Sequence, residues 1–331
     1  MKAKALKETL EGLISQKLPT FIWGSPGIGK SSIVKQIAKE NELDFIDLRL
    51  SLLDPTDLKG IPFFDSNSKE AVWAEPNFLP KDKKSSGILF LDEINTAPPS
   101  VQAAAYQLIL DRKIGDYELP PNWAIIAAGN RASDRGVVYR MPSPLLNRFV
   151  HLELEVSFKD WKDWAYKSNI NPLIIAFLEY DNTKLFTFDP QKEQQAFATP
   201  RSWEYVHRVL ASKMSKEHLL EVLQGIIGES ATSFVNFLKI KDELPKIEDI
   251  VNGKEVELPT KAQALFALNS FLVSFAKSAS QEELENILAF SFKLPKEFSI
   301  ALIRDLEQNG ISLEELSEFE RWVEEFSYLL E

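Results

Sequence analysis

The chain has 331 residues, a formal net charge of −11 and no cysteine. This length suffices for two domains with separate hydrophobic cores, and the lack of cysteine excludes disulfides, thiolate metal sites and a cysteine nucleophile. The acidic balance disfavours a general nucleic-acid-binding protein, and a cysteine-free chain fits a reducing compartment, so we expect a cytoplasmic protein with protein partners.

The first predicted element is an amphipathic helix over residues 1–16, which lacks the apolar segment of a secretion signal. The sequence has no run of about 18 apolar residues, so no contact with a membrane is expected. Residues 18–23 are apolar and β-branched and predict a buried strand. Residues 32–39 carry apolar side chains at helical spacing.

A glycine-rich loop of the form GxxxxGK(S/T) lies between that strand and that helix. Its glycines let backbone N–H groups surround an anion, and the helix adds the positive end of its dipole. We expect Lys30 to reach the β- and γ-phosphates and the Ser31 hydroxyl to bind Mg²⁺. The predicted cradle for a nucleoside triphosphate comprises Gly24, Ser25, Pro26, Gly27, Ile28, Gly29, Lys30, Ser31 and Ser32.

Strands and helices alternate as far as residue 154. We predict strands over residues 44–50 (a sheet edge), 87–93, 122–128 and 149–154, helices over 100–111 and 143–147, and a β-hairpin of residues 61–64 and 71–74. This alternation is typical of an α/β domain with a parallel sheet between helices. From residue 158 onward only helices are predicted, over residues 158–167, 171–180, 200–213, 216–227, 260–278, 281–292, 295–308 and 312–330, with a boundary near 240–260.

Two adjacent carboxylates, Asp92 and Glu93, end an otherwise apolar strand, at the sheet edge where α/β proteins bind ligands. Buried charges are costly unless they are paired or used, so these acids predict a functional site. We expect Asp92 to hold Mg²⁺ and Glu93 to orient and deprotonate the attacking water. Asn130 follows the neighbouring strand and is placed to contact the γ-phosphate and that water. The set indicates hydrolysis of the bound nucleotide.

Two arginines are further candidates. Arg148 follows the short helix over 143–147, and Arg201 begins the helix over 200–213. A guanidinium suits the neutralisation of a transferring phosphoryl group, but surface arginines also form ordinary salt bridges. Their residue type alone leaves both roles open.

The predicted hairpin presents three aromatic side chains, Phe63, Phe64 and Trp73. They either pack against the domain's own surface or contact a partner, since exposed aromatic residues mark interaction sites.

Taken together, these motifs resemble those of AAA+ ATPases, and within them the MoxR-like branch. The glycine-rich loop resembles Walker A, and Ile88–Glu93 resembles Walker B. The run from Asp92 to Pro99 is close to the branch signature D-E-I-N-R-A-P-P, with Thr96 in place of the frequent arginine. The other matching segments are residues 127–130 (sensor 1), 146–149 (arginine finger), 199–201 (sensor 2) and the hairpin after residues 57–62 (helix-2 insert), so that the resemblance covers about residues 15–215.

The resemblance implies a P-loop AAA+ domain over residues 1–156, a helical lid over 157–240 and a helical C-terminal extension over 241–331. It also implies a homo-oligomeric ring, usually a hexamer, that binds ATP and Mg²⁺ between subunits. Asn130 and Arg201 would then act on their own subunit's nucleotide, whereas Arg148 would reach the neighbour's. Arg135 and Arg140 lie nearby and are the other candidates for this finger.

As the function we therefore expect an ATP-driven chaperone or activase that remodels a partner protein, which in this branch often carries a von Willebrand factor A domain. One alternative is a nucleic-acid motor such as a restriction-type translocase, whose nucleotide is then ATP or GTP. Another is a switch or scaffold that hydrolyses its nucleotide slowly. The presence of Glu93 disfavours this alternative, because this glutamate is expected to deprotonate the attacking water.

Overall fold

The computed structural model describes residues 1–67, 69–134, 138–212 and 214–326. The chain forms two compact units. The first comprises Met1–Ser157 with Asp189–Lys192, and the second comprises Phe158–Phe188 with Glu193–Glu331. Within the described residues, none of the helices combines the length and the apolar character needed to cross a membrane.

The first unit is the predicted α/β part. Its helices and strands are α1 (Ala3–Ser15), β1 (Thr20–Trp23), α2 (Lys30–Glu40), β2 (Asp44–Arg49), α3 (Pro55–Lys59), β3 (Ile61–Asp65), β4 (Glu70–Ala74), β5 (Ser86–Asp92), α4 (Pro99–Asp111), β6 (Lys113–Ile114), β7 (Tyr117–Glu118), β8 (Asn122–Gly129), α5 (Ser143–Leu146) and β9 (Val150–Glu153). The β6–β7 pair was not predicted, because a two-residue strand carries no periodicity.

Five strands form one parallel sheet in the order β2-β5-β8-β1-β9, with β2 at an edge as predicted. The central strand β8 is buried along all but its first residue, which is why its sequence reads as a nearly continuous apolar run. The carboxyl ends of β5, β8 and β1 lie side by side. The sheet therefore brings the ends of three strands that carry predicted site residues to one edge.

One face of the sheet packs against α4. The buried residues of this helix include Val101, Ala104, Ala105, Leu108 and Ile109, which recur at helical spacing and form one face. They meet apolar side chains of β5 and β8 in the same cluster. Complete burial of one leucine or isoleucine side chain contributes about 1.5–3 kcal/mol, so this face holds the acid-bearing strand firmly in place.

The β3–β4 hairpin is antiparallel, as predicted, and separate from the main sheet. Phe63 and Phe64, the hairpin phenylalanine pair, are 50% and 67% exposed. Trp73 is only partly exposed, and its backbone N–H donates to Asp116 Oδ2 at 3.5 Å in the β6–β7 turn. The three aromatic residues therefore divide: Trp73 packs on its own unit, and the phenylalanine pair is exposed to solvent.

The second unit is helical. It contains α6 (Phe158–Lys167), α7 (Pro172–Tyr180), α8 (Pro200–Ala211), α9 (Leu219–Ile227), α10 (Ser230–Leu238), α11 (Ile247–Val251), α12 (Ala262–Ala276), α13 (Gln281–Ser291), α14 (Lys296–Gln308) and α15 (Ser317–Phe326). No helix was predicted at the positions of α10 and α11. The division between a lid and a C-terminal extension at residue 240 stays a prediction.

Helix α15 begins at Ser317 rather than at residue 312 as predicted. The Glu285 carboxylate accepts hydrogen bonds from the Ser317 and Glu318 N–H groups at 2.8 and 3.0 Å. A carboxylate at this position satisfies the free N–H groups of a helix start, so a side chain from α13 sets the boundary. Trp322 and Phe326 of this helix are buried, whereas Leu329 and Leu330 lie outside the described residues.

An ionic cluster is buried among the helices of the second unit. Lys162 Nζ lies 2.5 Å from Glu179 Oε1 and 2.6 Å from Asp305 Oδ2, and all three side chains are largely buried. Burial lowers the pKa of Lys162, but the two carboxylates outweigh this effect and raise it overall. Burial raises the pKa of Asp305 to about 6 in spite of the ammonium beside it. The cluster joins α6, α7 and α14 through a single cation.

Candidate nucleotide-binding and hydrolysis site

The glycine-rich loop connects β1 to α2 at the carboxyl edge of the sheet. Gly27 and Gly29 have φ values of 75° and 97°, in the left-handed region that side chains with a Cβ rarely adopt. Gly29 is the residue directly before α2, so the unpaired N–H groups of the first helical turn border the loop. Ser31 is half-buried in this turn and Ser32 is exposed. The loop thus has the backbone conformation of an anion cradle.

Lys30 joins the loop to the neighbouring strand. Its Nζ donates to the carbonyl oxygens of Gly24 at 2.6 Å and Ser25 at 3.0 Å, and to Asn130 Oδ1 at 3.1 Å. The ammonium therefore lies inside the loop, where two backbone carbonyl oxygens and one amide oxygen accept its hydrogen bonds. Two residues predicted from separate motifs, 100 positions apart, are in direct contact.

Asp92 ends β5 and is half-buried, and its Oδ1 accepts a hydrogen bond from the Glu93 N–H at 3.0 Å. Burial raises the pKa of Asp92 above its ordinary value, and the nearby Asp47 raises it further, while Lys30 opposes the shift. The charged form of Asp92 is thus disfavoured unless a cation lies beside it.

Glu93 adopts a left-handed conformation with φ of 57°, which is rare for a residue with a Cβ. The Ser51 hydroxyl donates a hydrogen bond to Oε2 of its carboxylate. Oε1 has no hydrogen-bond partner among the residues that the structure describes. The carboxylate is therefore held through one oxygen and can orient a water through the other. Ser51 was missed, because a serine after an edge strand has no distinguishing sequence signal.

Asn130 follows β8 and is held at two points. Its side-chain Oδ1 accepts from Lys30, and its backbone oxygen accepts from Asn95 Nδ2 at 2.7 Å. Its side chain lies beside the loop that would hold the phosphates. This position fits a contact with the γ-phosphate or with the attacking water.

A hydrogen-bonded path also links β1 to the end of α5, two residues before Arg148. Trp23 Nε1 donates to His151 Nδ1 at 2.9 Å, and His151 Nε2 lies 2.8 Å from the Leu146 carbonyl. The indole N–H can only donate and the carbonyl can only accept, so Nδ1 of the ring accepts and Nε2 donates. Trp23 is the last residue before the glycine-rich loop.

Arg148 and Arg140 are exposed, and no carboxylate pairs with either of them within the described ranges. Arg135 lies outside the described residues. Arg148 makes no described contact with Lys30, Glu93 or Asn130. Arg201 is exposed in the first turn of α8 and belongs to the second unit, where the Thr199 hydroxyl caps the helix. Within the first unit, the structure thus brings together Lys30 and Asn130 and sets Asp92 and Glu93 on the adjacent strand end, without a described contact from Arg148.

The oxygen donors here suit Mg²⁺. Within the described part of the chain, no group of three or more histidine, aspartate and glutamate side chains is arranged to hold a metal ion. Magnesium in nucleotide sites takes one or two protein oxygens and completes its shell with phosphate and water, so a dedicated cage is not required. Ser31 and Asp92 would supply a hydroxyl and a carboxylate, and a cation would stabilise the charged form of Asp92.

A model of a known protein family matches most of the first unit. Residues 20–151 match the family described as "ATPase family associated with various cellular activities (AAA)". The match begins at β1 and ends within β9, so it includes residues of all five strands of the sheet. These strands and their flanking helices form the P-loop AAA+ fold, followed by a helical part, which confirms the predicted fold class.

Among curated proteins, the chain is 24% identical over 169 residues to midasin of Giardia intestinalis and 27% identical over 165 residues to midasin of Dictyostelium discoideum. These alignments include 49% and 46% of this chain but only 4% and 3% of the midasins. Among solved structures, NtrX from Brucella abortus aligns with a TM-score of 0.42 at 16% identity, covering 93% of this chain and 67% of that one. A RuvB mutant from Thermotoga maritima aligns with a TM-score of 0.39 at 20% identity, covering 81% and 80%.

Proposed function

We propose that this chain, which carries an AAA ATPase domain in residues 20–151, uses ATP hydrolysis to remodel or activate a partner protein in the manner of the MoxR-like branch. The observation that carries the catalytic part is the contact of Lys30 Nζ with Asn130 Oδ1 at 3.1 Å, beside the strand that ends in Asp92 and Glu93. Cation, amide and acids thus lie at the ends of three adjacent strands.

In the proposed mechanism, Lys30 exchanges its carbonyl partners for β- and γ-phosphate oxygens when ATP enters the loop. Ser31 and Asp92 would hold Mg²⁺, which neutralises developing charge on the phosphates. Glu93 accepts a proton from the attacking water at Oε1 while Ser51 keeps its carboxylate oriented. Asn130 fixes the line of attack through its side-chain amide.

We assign the remaining positive charge to Arg148 of a neighbouring subunit. Arg148 is exposed and has no acidic partner within the described residues, so it is free to reach another chain. An arginine supplied in trans is worth about 10³–10⁵ in rate in well-studied nucleoside triphosphatases, so hydrolysis would depend on assembly into a ring. By resemblance, we propose that the ring is a hexamer. The helical lid would comprise residues 157–240, and its Arg201 would act on the nucleotide of its own subunit. The C-terminal extension over 241–331 would follow the lid in the chain.

The hairpin phenylalanine pair supports a protein partner. Phe63 and Phe64 are exposed while the neighbouring Trp73 is partly covered by its own unit, so the pair is not needed to close the hairpin. Exposed aromatic residues in a cluster are typical of protein contacts. A von Willebrand factor A domain protein is the partner class that the resemblance suggests.

The catalytic proposal is tested with the variant E93Q. It should keep its ATP dissociation constant within about threefold, because the loop and Lys30 are unchanged, and should lose at least about 10²-fold in turnover through loss of the general base. The control K39A alters an exposed lysine near the end of α2 and should hydrolyse ATP like the wild type. Wild-type turnover in E93Q would contradict the role of Glu93.

The remodelling part is tested with E93Q as a trap in the presence of ATP. It should retain a cross-linked protein client, and adding F63A/F64A to the trap should abolish this capture. Hydrolysis stimulated by DNA or RNA, with no captured protein, would instead favour the nucleic-acid motor.

A further inference from the structure

Asn95 connects three segments around the proposed catalytic centre. It lies in the turn that follows Asp92 and Glu93, and its side chain is buried with 1% exposure. Its Nδ2 donates to the Asn130 carbonyl at 2.7 Å, and its backbone oxygen accepts from the Tyr139 N–H at 2.8 Å. One residue thus ties the acid-bearing turn to the end of β8 and to the segment that leads towards α5.

The turn itself is closed by local hydrogen bonds. The Glu93 carbonyl accepts from the Thr96 and Ala97 N–H groups at 3.0 and 3.2 Å and from the Thr96 hydroxyl at 2.9 Å. These bonds hold the shape of the turn, and the Ile94 N–H, which donates to the Ala128 carbonyl at 3.3 Å, ties the turn to β8 but not to Asn130 itself. The Asn95 side chain bridges from this turn to the Asn130 backbone.

The packing around Asn95 requires a glycine opposite. A Cβ at Gly129 would lie 2.4 Å from Asn95 Oδ1 and 2.8 Å from its Cγ, closer than atoms can approach. The φ of Gly129 is not in the left-handed region, so its backbone conformation does not call for a glycine. Asn95 Oδ1 is buried and has no hydrogen-bond partner in the described residues. The hydrogen bond from Asn95 Nδ2 to the Asn130 carbonyl therefore occurs together with an unsatisfied amide oxygen on Asn95 and with a glycine at position 129.

We propose that Asn95 is a positioning residue for the hydrolysis reaction, which fixes Asn130 relative to Glu93. The proposal rests on the catalytic roles assigned above to those two residues. Asn130 is held by Lys30 through its side chain and by Asn95 through its backbone. When Lys30 turns to the phosphates, the bond from Asn95 remains to hold the Asn130 segment in place for the attacking water.

The first test is N95A, with N269A as the matched control. Asn269 is a buried asparagine of α12 whose Nδ2 donates to the Phe298 carbonyl at 2.8 Å and whose Oδ1 also lacks a described partner. Both variants lose the same kind of hydrogen bond. N95A should lower kcat about tenfold, the usual worth of one such bond, with the ATP dissociation constant within about threefold. N269A should leave kcat within about twofold of the wild type.

The second test is N95D, which changes few atoms and makes the hydrogen bond to the Asn130 carbonyl depend on pH, with thermal unfolding at both pH values to show that the variant is folded. The introduced carboxyl can donate to the Asn130 carbonyl only when protonated, and its burial raises its pKa into an accessible range. N95D should hydrolyse ATP within about threefold of the wild type at pH 6 and at least about tenfold more slowly at pH 8.5. The charged groups of the surrounding segments (Lys30, Asp92, Glu93 and Asp134) are present in both proteins, so the wild type measured at the same two pH values is the reference for N95D.

The outcomes separate this inference from the proposed function. A wild-type chain that does not hydrolyse ATP, or an active E93Q, overturns the proposed function itself. An active wild type with an inactive E93Q, but with N95A within about twofold of the wild type, overturns the inference alone. So does an N95D/wild-type ratio that is constant between pH 6 and 8.5. If N95A does not fold, as judged by thermal unfolding beside N269A, the pH ratio of N95D still decides.

Discussion

Replacing Lys162 by methionine removes the one cation of the buried ionic cluster in the second unit. Its Nζ contacts carboxylates of α7 and α14 at 2.5 and 2.6 Å, and the side chains of all three residues are at most 16% exposed. Methionine keeps most of the length and apolar stem of the side chain, so the change isolates the charge. Two buried carboxylates are then left facing each other without a counterion.

The expected loss is about 3–5 kcal/mol at pH 8, the usual effect of breaking a buried ion pair from one side. For a unit of this size the loss lowers Tm by roughly 6–20 °C. The matched control is K261M, because Lys261 pairs with Glu243 at 2.6 Å on the surface, with 56% and 43% exposure. An exposed pair of this kind contributes at most about 1 kcal/mol, so K261M should change stability little.

The pH dependence of K162M follows from Asp305, whose folded pKa burial already raises to about 6. A group whose folded pKa lies above its unfolded value stabilises the fold below the unfolded pKa, and this contribution is lost as pH rises through the folded pKa. Loss of the ammonium raises the folded pKa of Asp305 further. Each additional pKa unit reduces the difference in free energy of unfolding between the wild type and K162M by about 1.4 kcal/mol as pH falls. The difference in free energy of unfolding between the wild type and K162M should therefore be smaller at pH 5 than at pH 8.

The assay is urea unfolding of the wild type, K162M and K261M at both pH values, with hydrogen exchange in α12 used to assign the transition to the second unit. A K162M loss below about 1 kcal/mol, or a gap that does not change between pH 8 and pH 5, would refute this electrostatic account of the cluster.

Three further predictions concern the first unit. R148A and E93Q should each be inactive alone, but an equimolar mixture should recover a measurable fraction of wild-type turnover. In the mixture, some subunit interfaces pair an intact Glu93 with an intact Arg148. A mixture as inactive as its components would place Arg148 in cis or outside the site. F63A/F64A should keep Tm within about 2 °C and ATP turnover within about twofold, since both side chains are exposed, while client capture is lost; a large fall in Tm would show that the pair is structural. G60A should lower the free energy of unfolding in urea by about 2–4 kcal/mol. Gly60 has a φ of 82°, and a Cβ there would lie 2.1 Å from a carbonyl oxygen of β4. A free energy of unfolding equal to that of the wild type would contradict this.

Much of the first unit could be predicted from local patterns. The apolar runs of β5 and β8, the loop before α2 and the acids after β5 are contiguous in sequence, and their spacing carries the information. Because parallel strands end at one edge of a sheet, the proximity of Lys30 and Asn130 also follows from those patterns.

The missed features depend on contacts between distant residues. Ser51 reaches Glu93 across 42 positions, and Asn95 reaches Asn130 across 35. Ser51 lies in no motif, and the signature that contains Asn95 does not indicate which distant residue its side chain contacts. In the same way, the start of α15 is set by Glu285 of α13, more than thirty residues earlier, which no local pattern could indicate.

The bridge between Trp23 and Leu146 restricts which residues can stand at position 151. The ring of His151 accepts a hydrogen bond at one nitrogen and donates at the other, across the width of an imidazole. Asparagine could replace only the first interaction and glutamine only the second, because neither side chain reaches both partners. Evolution at positions 23 and 151 should therefore be coupled: in related chains that lack an indole at position 23, the histidine should be free to vary.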